Sequence, residues 1–472
     1  MINMDQHTRY HPPGGGETIA AVSTPTGEGA IAIVRLSGCQ AIPLADIVFQ
    51  GKVRLGEAPS HTLHHGHIVD PRDRRTVDDV LAAVMRAPRT YTGEDMVEIN
   101  CHGGLLVTGQ ILRLLLRQGA RLADPGEFTR RAYLNGRMDL LQAEAVAEVI
   151  RAKTDLGLEI ARRQLNGRCT RRLASIRHDL IEALALIETG LDFSDQELTD
   201  DTVGRAREPL RKVREEISGL LREAGFGRRL QEGFRVVLLG RPNVGKSSLF
   251  NALLGSDRVI VDARPGTTRD SVSEQVNLRD LPVRLVDTAG LRVAAGAVER
   301  EGVQRTRQEM ESADLLVIIL DGSERLGNED MAILEQTEAR KSLVVINKID
   351  LPRELDSEPV EKTGESRPVV EVSATRGDGI ESAIEIIGRA LSNGNGAAGT
   401  GAPLVATLRH REILERALEA VRKAEGGLGN RAGEELVAED LRRALKILAE
   451  MTGRTSDQEV LDHIFSAFCV GK

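Results

Sequence analysis

Gly240-Arg241-Pro242-Asn243-Val244-Gly245-Lys246-Ser247-Ser248 decides the fold, because its spacing is that of a phosphate-binding P-loop. The run before it, Phe234-Arg235-Val236-Val237-Leu238-Leu239, is short, apolar and β-branched in its middle, which predicts a buried strand. Strand, glycine loop and helix together turn backbone N–H groups and the positive end of a helix toward one anion. Lys246 adds a point charge for the β/γ-phosphates, and Ser247 a hydroxyl for Mg²⁺.

The segments downstream extend this reading in the order that a nucleotide-binding α/β unit requires. Gly266-Thr267-Thr268-Arg269-Asp270 offers Thr268 as a second hydroxyl ligand for Mg²⁺ on a loop that senses the γ-phosphate. The strand-like Val283-Arg284-Leu285-Val286 leads into Asp287-Thr288-Ala289-Gly290, with Asp287 for a metal-bound water and the Gly290 N–H for the γ-phosphate. Leu315 to Leu320 reads as another buried strand, and Leu343 to Ile346 delivers Asn347-Lys348-Ile349-Asp350. A carboxylate at Asp350 accepts from N1–H and the exocyclic amine of guanine but faces an acceptor on adenine, so the site selects GTP. Ser373-Ala374-Thr375 closes over the base. The expected nucleotide contacts are therefore Asn243, Val244, Gly245, Lys246, Ser247, Ser248, Asp262, Thr267, Thr268, Asp287, Thr288, Ala289, Gly290, Asn347, Lys348, Asp350, Ser373, Ala374 and Thr375.

One familiar part is missing. Leu291 stands where Ras-like enzymes carry the glutamine that orients the attacking water. Glu299 is the nearest replacement, and reads equally as a solvated acidic residue opening a helix. No arginine finger is identifiable; Asn243 reads either as a ligand for a monovalent cation beside the phosphates or as a turn residue tolerant of left-handed geometry.

At ~150 residues per domain, a chain of 472 residues suggests about three domains. A net charge of −8 argues against a free-standing nucleic-acid coat, and 2% aromatic content without Trp leaves few base-stacking platforms. Cys39, Cys101, Cys169 and Cys469 are widely separated, show no metal-ligand spacing and read as reduced thiols. No apolar h-region opens the chain and no apolar run approaches ~18 residues, so the expectation is a cytoplasmic protein with no membrane partner. Composition divides the chain into 1–135 (strand-like runs, and a helix over Leu105 to Leu116), 136–229 (helical), 230–391 (the nucleotide module) and 404–472 (helical again, after a glycine-rich linker). Leu441, Ala444, Leu445 and Leu448 form one buried stripe at helical spacing. Two helical stretches flanking an α/β unit predict that they pack together with the nucleotide module inserted between them.

Thr24 to Ala30, Tyr91 to Glu98, Cys101-His102-Gly103-Gly104, Asp124 to Thr129, Asn135 to Leu140 and Phe468-Cys469-Val470-Gly471-Lys472 resemble, in combination, the MnmE (TrmE) family of bacterial tRNA-modification GTPases over nearly the whole length. Era and EngA, ribosome-assembly GTPases, share the P-loop wording but lack these flanks. The resemblance implies a multidomain α/β and all-α protein: a folate-binding, dimerising α+β N-terminal domain, a discontinuous helical domain, and an inserted Ras-like P-loop GTPase domain. It implies GTP hydrolysis coupled to modification of C5 of the wobble uridine of certain tRNAs with a carboxymethylaminomethyl or aminomethyl group. The one-carbon unit would come from a tetrahydrofolate (5-formyl or 5,10-methylene). The partners would be a second copy of the chain and the FAD protein MnmG, two of each, with FAD held by MnmG.

By the same resemblance Arg35, Glu98, Arg137 and Lys472 contact the folate, although Arg35 and Arg137 also read as surface charge and Glu98 as an outward strand position. Catalytic roles fall to Glu299, Asp287, Lys246 and Arg269. A potassium site formed by Asn243, Asp262, Arg264 and Thr267 drives dimerisation of the nucleotide modules, with Glu299 placing the water. Val261 to Gly266 departs from the family wording, and Arg264 sets a second cation beside that site. Cys469 reads as a redox-active or nucleophilic thiol, or as a buried contact near the folate.

Two further clusters have plain readings. His61, His64, His65 and His67 lack a carboxylate or cysteine at ligand spacing and predict a strand and turn. Arg162, Arg163, Arg168, Arg171 and Arg172 predict a solvated or partnered helix face rather than a tRNA contact. The rival functions are a ribosome-assembly GTPase, which binds a ribosomal subunit and no folate, and a nucleotide-gated scaffold without turnover.

Overall fold

The computed structural model describes residues 16–152, 154–192, 200–256, 273–287, 307–356, 367–392, 407–429, 434–455 and 458–472. The chain divides into two compact units, one of Met1–Ala147 with Ala449–Lys472, the other of Glu148–Leu448.

In the first unit, period-2 alternation builds a sheet from β1 (Ile19–Val22), β2 (Gly29–Ser37), β3 (Phe49–Gly51), β4 (Thr62–Val69), β5 (Thr76–Met85), β6 (Met96–Gly103) and β7 (Arg121–Leu122), in the order β3-β4-β5-β6-β2-β1-β7. Along β2, Ala32, Val34 and Leu36 are buried with Val97, Ile99 and Cys101 of β6 beneath α1 (Ala41–Val48) and α2 (Leu105–Arg117). The alternate residues face the other side of the sheet, and the antiparallel register sets Arg35 opposite Glu98. Part of that second face is closed by Phe128 of α3 (Glu127–Leu134), packed with Ile19, Ala21 and Met96. His64, His65 and His67 lie on β4, and His61 precedes it in a left-handed turn at φ 62°.

In the second unit, β8 (Phe234–Leu239), β9 (Ser273–Leu278), β10 (Leu281–Asp287), β11 (Leu315–Asp321), β12 (Ser342–Asn347) and β13 (Val369–Glu371) form a sheet ordered β13-β12-β11-β8-β10-β9. All its pairings are parallel except β9 with β10. β8, β11 and β12 are buried almost throughout, as continuous apolar strands must be when helices cover both faces. The helices are α4 (Leu140–Arg151), which runs across the division between the units, then α5 (Asp155–Leu165), α6 (Arg168–Asp192), α7 (Asp200–Glu232), α8 (Lys246–Ser256), α9 (Asn328–Gln336), α10 (Ile380–Ser392) and α11 (Leu408–Gly429). α7 packs along both α6 and α11, which lie on opposite sides of the sheet's segment in the sequence. The end of α7 reaches the sheet through Phe226 on Phe234, ring centroids 5.6 Å apart, a contact worth ~0.5–1.5 kcal/mol beyond area burial.

Of the expected basic patch, Arg172 is paired with Glu216 and Glu223 of α7, and Arg163 with Glu159. α12 (Glu434–Met451) buries Leu441, Ala444 and Leu448, while Leu445 is only half-buried and Ile447 takes its place. α13 (Gln458–Ser466) packs on α3 in the first unit, with Phe465 near Tyr133 and Phe468. No helix among the described residues is long and apolar enough to cross a membrane.

The four thiols fall into two classes. Cys101 and Cys169 are buried, whereas Cys39 and Cys469 are exposed. Burial, reinforced by the charge of Asp78, pushes the Cys101 thiol up to about 11. A disulfide-exchange reagent at pH 8 should therefore titrate two thiols rapidly in the native chain and four after denaturation. Four fast thiols in the native chain would contradict this packing.

Candidate functional site

In the second unit the parallel strands end at one edge of the sheet, and every described nucleotide-motif residue follows from that edge. The P-loop leaves β8, Asp287 ends β10, Asp321 ends β11, Asn347 ends β12, and Ser373 follows β13. Left-handed geometry at Asn243 (φ 65°) and Gly245 (φ 95°) curls the P-loop onto the N-terminus of α8. A Cβ on Gly245 would stand 2.1 Å from Asn347 Nδ2, so no other residue fits there.

Lys246 is only 6% exposed and donates to the carbonyls of Gly240 (2.9 Å) and Arg241 (2.5 Å), which keep its ammonium within the loop. Ser247 Oγ lies 3.0 Å from Asp287 Oδ2, a hydroxyl and a carboxylate converging as hard oxygen donors. The buried Asn347 joins the two halves of the site: its Nδ2 donates to the Val244 carbonyl (2.9 Å) and its Oδ1 accepts from the Ala374 N–H (3.0 Å). Asp350 accepts from Ser373 Oγ at 2.6 Å, and that hydrogen bond, helped by Arg376 and Lys348, holds its carboxyl below the ordinary aspartate range. Thr375 Oγ1 lies 3.2 Å from Ser373 Oγ, whereas Ser248 is exposed on the first turn of α8.

Asp262, Arg264, Thr267, Thr268, Arg269, Thr288, Ala289, Gly290 and Glu299 lie outside the described residues.

Asp321 was not singled out from the sequence, although a carboxylate directly after an apolar strand was a signal. Burial pushes its carboxyl up, but the Lys348 ammonium at 2.5 Å and the Ser323 hydroxyl and N–H bring it net below the ordinary range. Lys348 is thereby fixed beside Asp350 in a left-handed conformation at φ 66°.

The first unit holds a second polar constellation. Arg35 directs Nε (2.8 Å) and Nη2 (2.7 Å) to Glu98 Oε1 and donates from Nη1 to the Gly471 carbonyl at 3.3 Å. Its guanidinium carbon lies 5.8 Å from the centroid of Tyr91 and 5.6 Å from that of Phe128. The segment bearing Lys472 is held by backbone: the Phe128 N–H donates to the Lys472 carbonyl (3.2 Å) and the Gly126 N–H to that of Cys469 (3.4 Å). Gly471, at φ 91°, passes so close to β1 that a Cβ would meet the Val22 carbonyl at 2.4 Å. Burial pushes the Lys472 ammonium below the usual lysine range, Arg35 adds to the shift, and Glu98 opposes it.

Arg35, Glu98 and the Gly471-Lys472 segment therefore come together, as charge alone did not require. Arg137 is exposed and packs its stem against Gly93, with no ion pair to Glu98 among the described residues. Cys469 corrects the expectation of a buried thiol. It is exposed because Phe468 takes the interior position of this segment, against Phe465 and Gly126. Tyr91, Phe128 and Gly471 lay inside motifs legible in the sequence, but their contact with Arg35 depends on tertiary packing.

Two family profiles match along the chain. Residues 18–137 match the family profile "GTP-binding protein TrmE N-terminus", and residues 140–469 match "MnmE helical domain". The tRNA modification GTPase MnmE of Geobacillus kaustophilus is 46% identical over 97% of this chain and 99% of its own length. The protein of that name from Heliobacterium modesticaldum is 46% identical over 97% and 100%, and that of Bacillus subtilis 44% over 97% and 100%. The chain belongs to the MnmE family of tRNA modification GTPases.

Proposed function

We propose that this chain hydrolyses GTP to drive addition of a carboxymethylaminomethyl or aminomethyl group to C5 of the wobble uridine of certain tRNAs, in the cytoplasm. It acts as a homodimer with the FAD protein MnmG, two copies of each, and draws its one-carbon unit from a tetrahydrofolate (5-formyl or 5,10-methylene). The observation that carries the nucleotide half is the position of Asp350, held by the Ser373 hydroxyl beside the Asn347 bridge to the P-loop. Packing of α7 against α11 supports a nucleotide module inserted into one helical domain. The exposed Ile31, Leu105 and Leu106, clustered where β2 and α2 begin, support a dimer through the first unit.

Mg²⁺ fits the Ser247 hydroxyl with Thr268, and Asp287 would hold one of its waters. When bound, it would neutralise charge developing on the β- and γ-phosphates. K⁺ fits the exposed, left-handed P-loop tip at Asn243, with Asp262, Arg264 and Thr267 as its other neighbours. Lys246 binds the phosphates, and Glu299 orients the attacking water, with Arg269 supplying a further cation.

A folate fits the first unit because both Arg35 contacts fall on Glu98 Oε1, which leaves Oε2 for the donor edge of an aminopyrimidine. Lys472 and Arg137 would meet its anionic and carbonyl oxygens. Arg35 then works chiefly as a frame, since its guanidinium is already shared between Glu98 and Gly471.

GTP turnover at matched ionic strength should be at least about tenfold faster in K⁺ than in Na⁺. Equal rates would remove the Asn243 cation site from the reading. Glu299→Ala should retain GTP affinity while turnover falls at least about a hundredfold, a loss of ~2.7 kcal/mol of barrier lowering. Normal turnover would exclude Glu299 as the residue that positions water. Gly471→Ala should weaken 5-formyltetrahydrofolate binding about tenfold by lifting Lys472 from β1, with GDP affinity as parent. Undiminished folate binding would sever the 468–472 segment from that site.

A further inference from the structure

The β11–α9 connection touches both halves of the nucleotide site without containing a nucleotide-binding motif. At one end, the buried Asp321 fixes Lys348 at 2.5 Å, and the Gly322 N–H donates to the Asn347 carbonyl at 2.8 Å. The Gly322 carbonyl accepts from the N–H groups of Glu354 and Leu355, just beyond Asp350. At the other end stands Asp330, 1% exposed, whose Oδ2 accepts from the Gly327 N–H (2.9 Å) and lies 2.7 Å from Arg241 Nε. Arg241 is the second residue of the P-loop, and its Nη2 also donates to Glu324 at 3.2 Å. The Arg241 carbonyl is the one on which Lys246 rests.

We propose that residues 321–330 form a brace that sets the spacing between the phosphate-binding and base-binding loops, with Asp330 and Asp321 as positioning residues for GTP. The two ends stand in series: Arg241 on Asp330 and Glu324 ties residues 321–330 to the P-loop, and Asp321 on Lys348 with the Gly322 backbone bonds ties them to the base loop. Asp330 does double duty within that series. Its carboxylate both closes the first turn of α9 and attracts Arg241, so the helix N-terminus and the P-loop share one anchor. Removing the Asp330 charge would leave Arg241 held only by the more exposed Glu324, so Arg241 would move toward solvent and carry the P-loop with it. The brace runs beside the direct Asn347 bridge, so its loss loosens the site rather than dismantling it.

Series links predict non-additivity. Asp330→Asn retains a side-chain oxygen for the Gly327 N–H but loses the charge facing Arg241; Asp321→Asn does the same at Lys348. In the full chain, each should weaken binding of a fluorescent GDP about tenfold. In steady state the loss should fall on KM for GTP more than on kcat. The double variant should bind within about threefold of the weaker single variant, because a broken brace has nothing more to lose. Asp330→Glu should recover part of the affinity. A hundredfold loss in the double variant would mean two independent contacts and overturn the brace. So would GDP affinity within twofold of parent in either single variant at unchanged Tm. Should Asp330→Asn fail to fold, Glu324→Gln reads the same link from a side chain that is 59% exposed. It should cost about threefold in GDP affinity in the parent and nothing beside Asp321→Asn; equal losses in both backgrounds would also overturn the proposal.

Discussion

One amide group organises the nucleotide-binding edge. Asn347 uses both ends of its side chain, donating to the P-loop at Val244 and accepting from Ala374 in the loop beyond β13. Three loops from three strands are thereby fixed relative to one another before any ligand arrives. Because the amide is 3% exposed, its hydrogen bonds form away from competing water, and breaking one would strand a buried polar group at ~1–3 kcal/mol. The absence of a side chain at Gly245 is the condition for this approach. Parallel strand order then brings Asp287, Asp321 and Ser373 to the same edge.

The constellation in the first unit rests on strand register. β2 and β6 pair so that Arg35 faces Glu98, and the same alternation buries Val34 and Leu36 on the opposite side. A slip of one residue would turn Arg35 into the apolar core, so the core that stabilises the sheet also fixes the ion pair. Phe128 is shared between the packed second face and the Arg35 guanidinium. The polar site is therefore built from core contacts rather than laid over them.

These differences explain what was legible in the sequence. The P-loop, the Asn347 to Asp350 motif and the buried strands are local patterns whose chemistry depends on spacing along the chain, and their described residues converge as that spacing requires. Arg35, Glu98 and Lys472 were legible only through family resemblance, since 436 positions separate Arg35 from Gly471 and no periodicity links them. Arg137 carried the same charge signal yet makes no ion pair with Glu98 among the described residues, because charge does not specify which loop a side chain will lie against. The exposed Cys469 has a similar cause: both Phe468 and Cys469 are apolar candidates for the interior, and the larger ring takes it. Asp321 and Arg241 were visible as residues but their partners, Lys348 and Asp330, were not, because each pair forms between segments that only the fold brings together.

Arg35 also shows why residue type matters beyond charge. Its planar guanidinium reaches Glu98 through two nitrogens and Gly471 through the third, while lying near Tyr91 and Phe128. A lysine ammonium is a compact, strongly hydrated point charge and does not reproduce that fork or that ring contact. It would keep the charge beside Glu98 while releasing the Gly471 carbonyl, and with it the segment that presents Lys472. The guanidinium is thus a joint between a β-strand pair and the 468–472 segment, and its positive charge also helps to hold the Lys472 ammonium below the usual lysine range. Glu98 opposes that shift, and backbone hydrogen bonds from Phe128 and Gly126 hold the segment in place beside the strand pair.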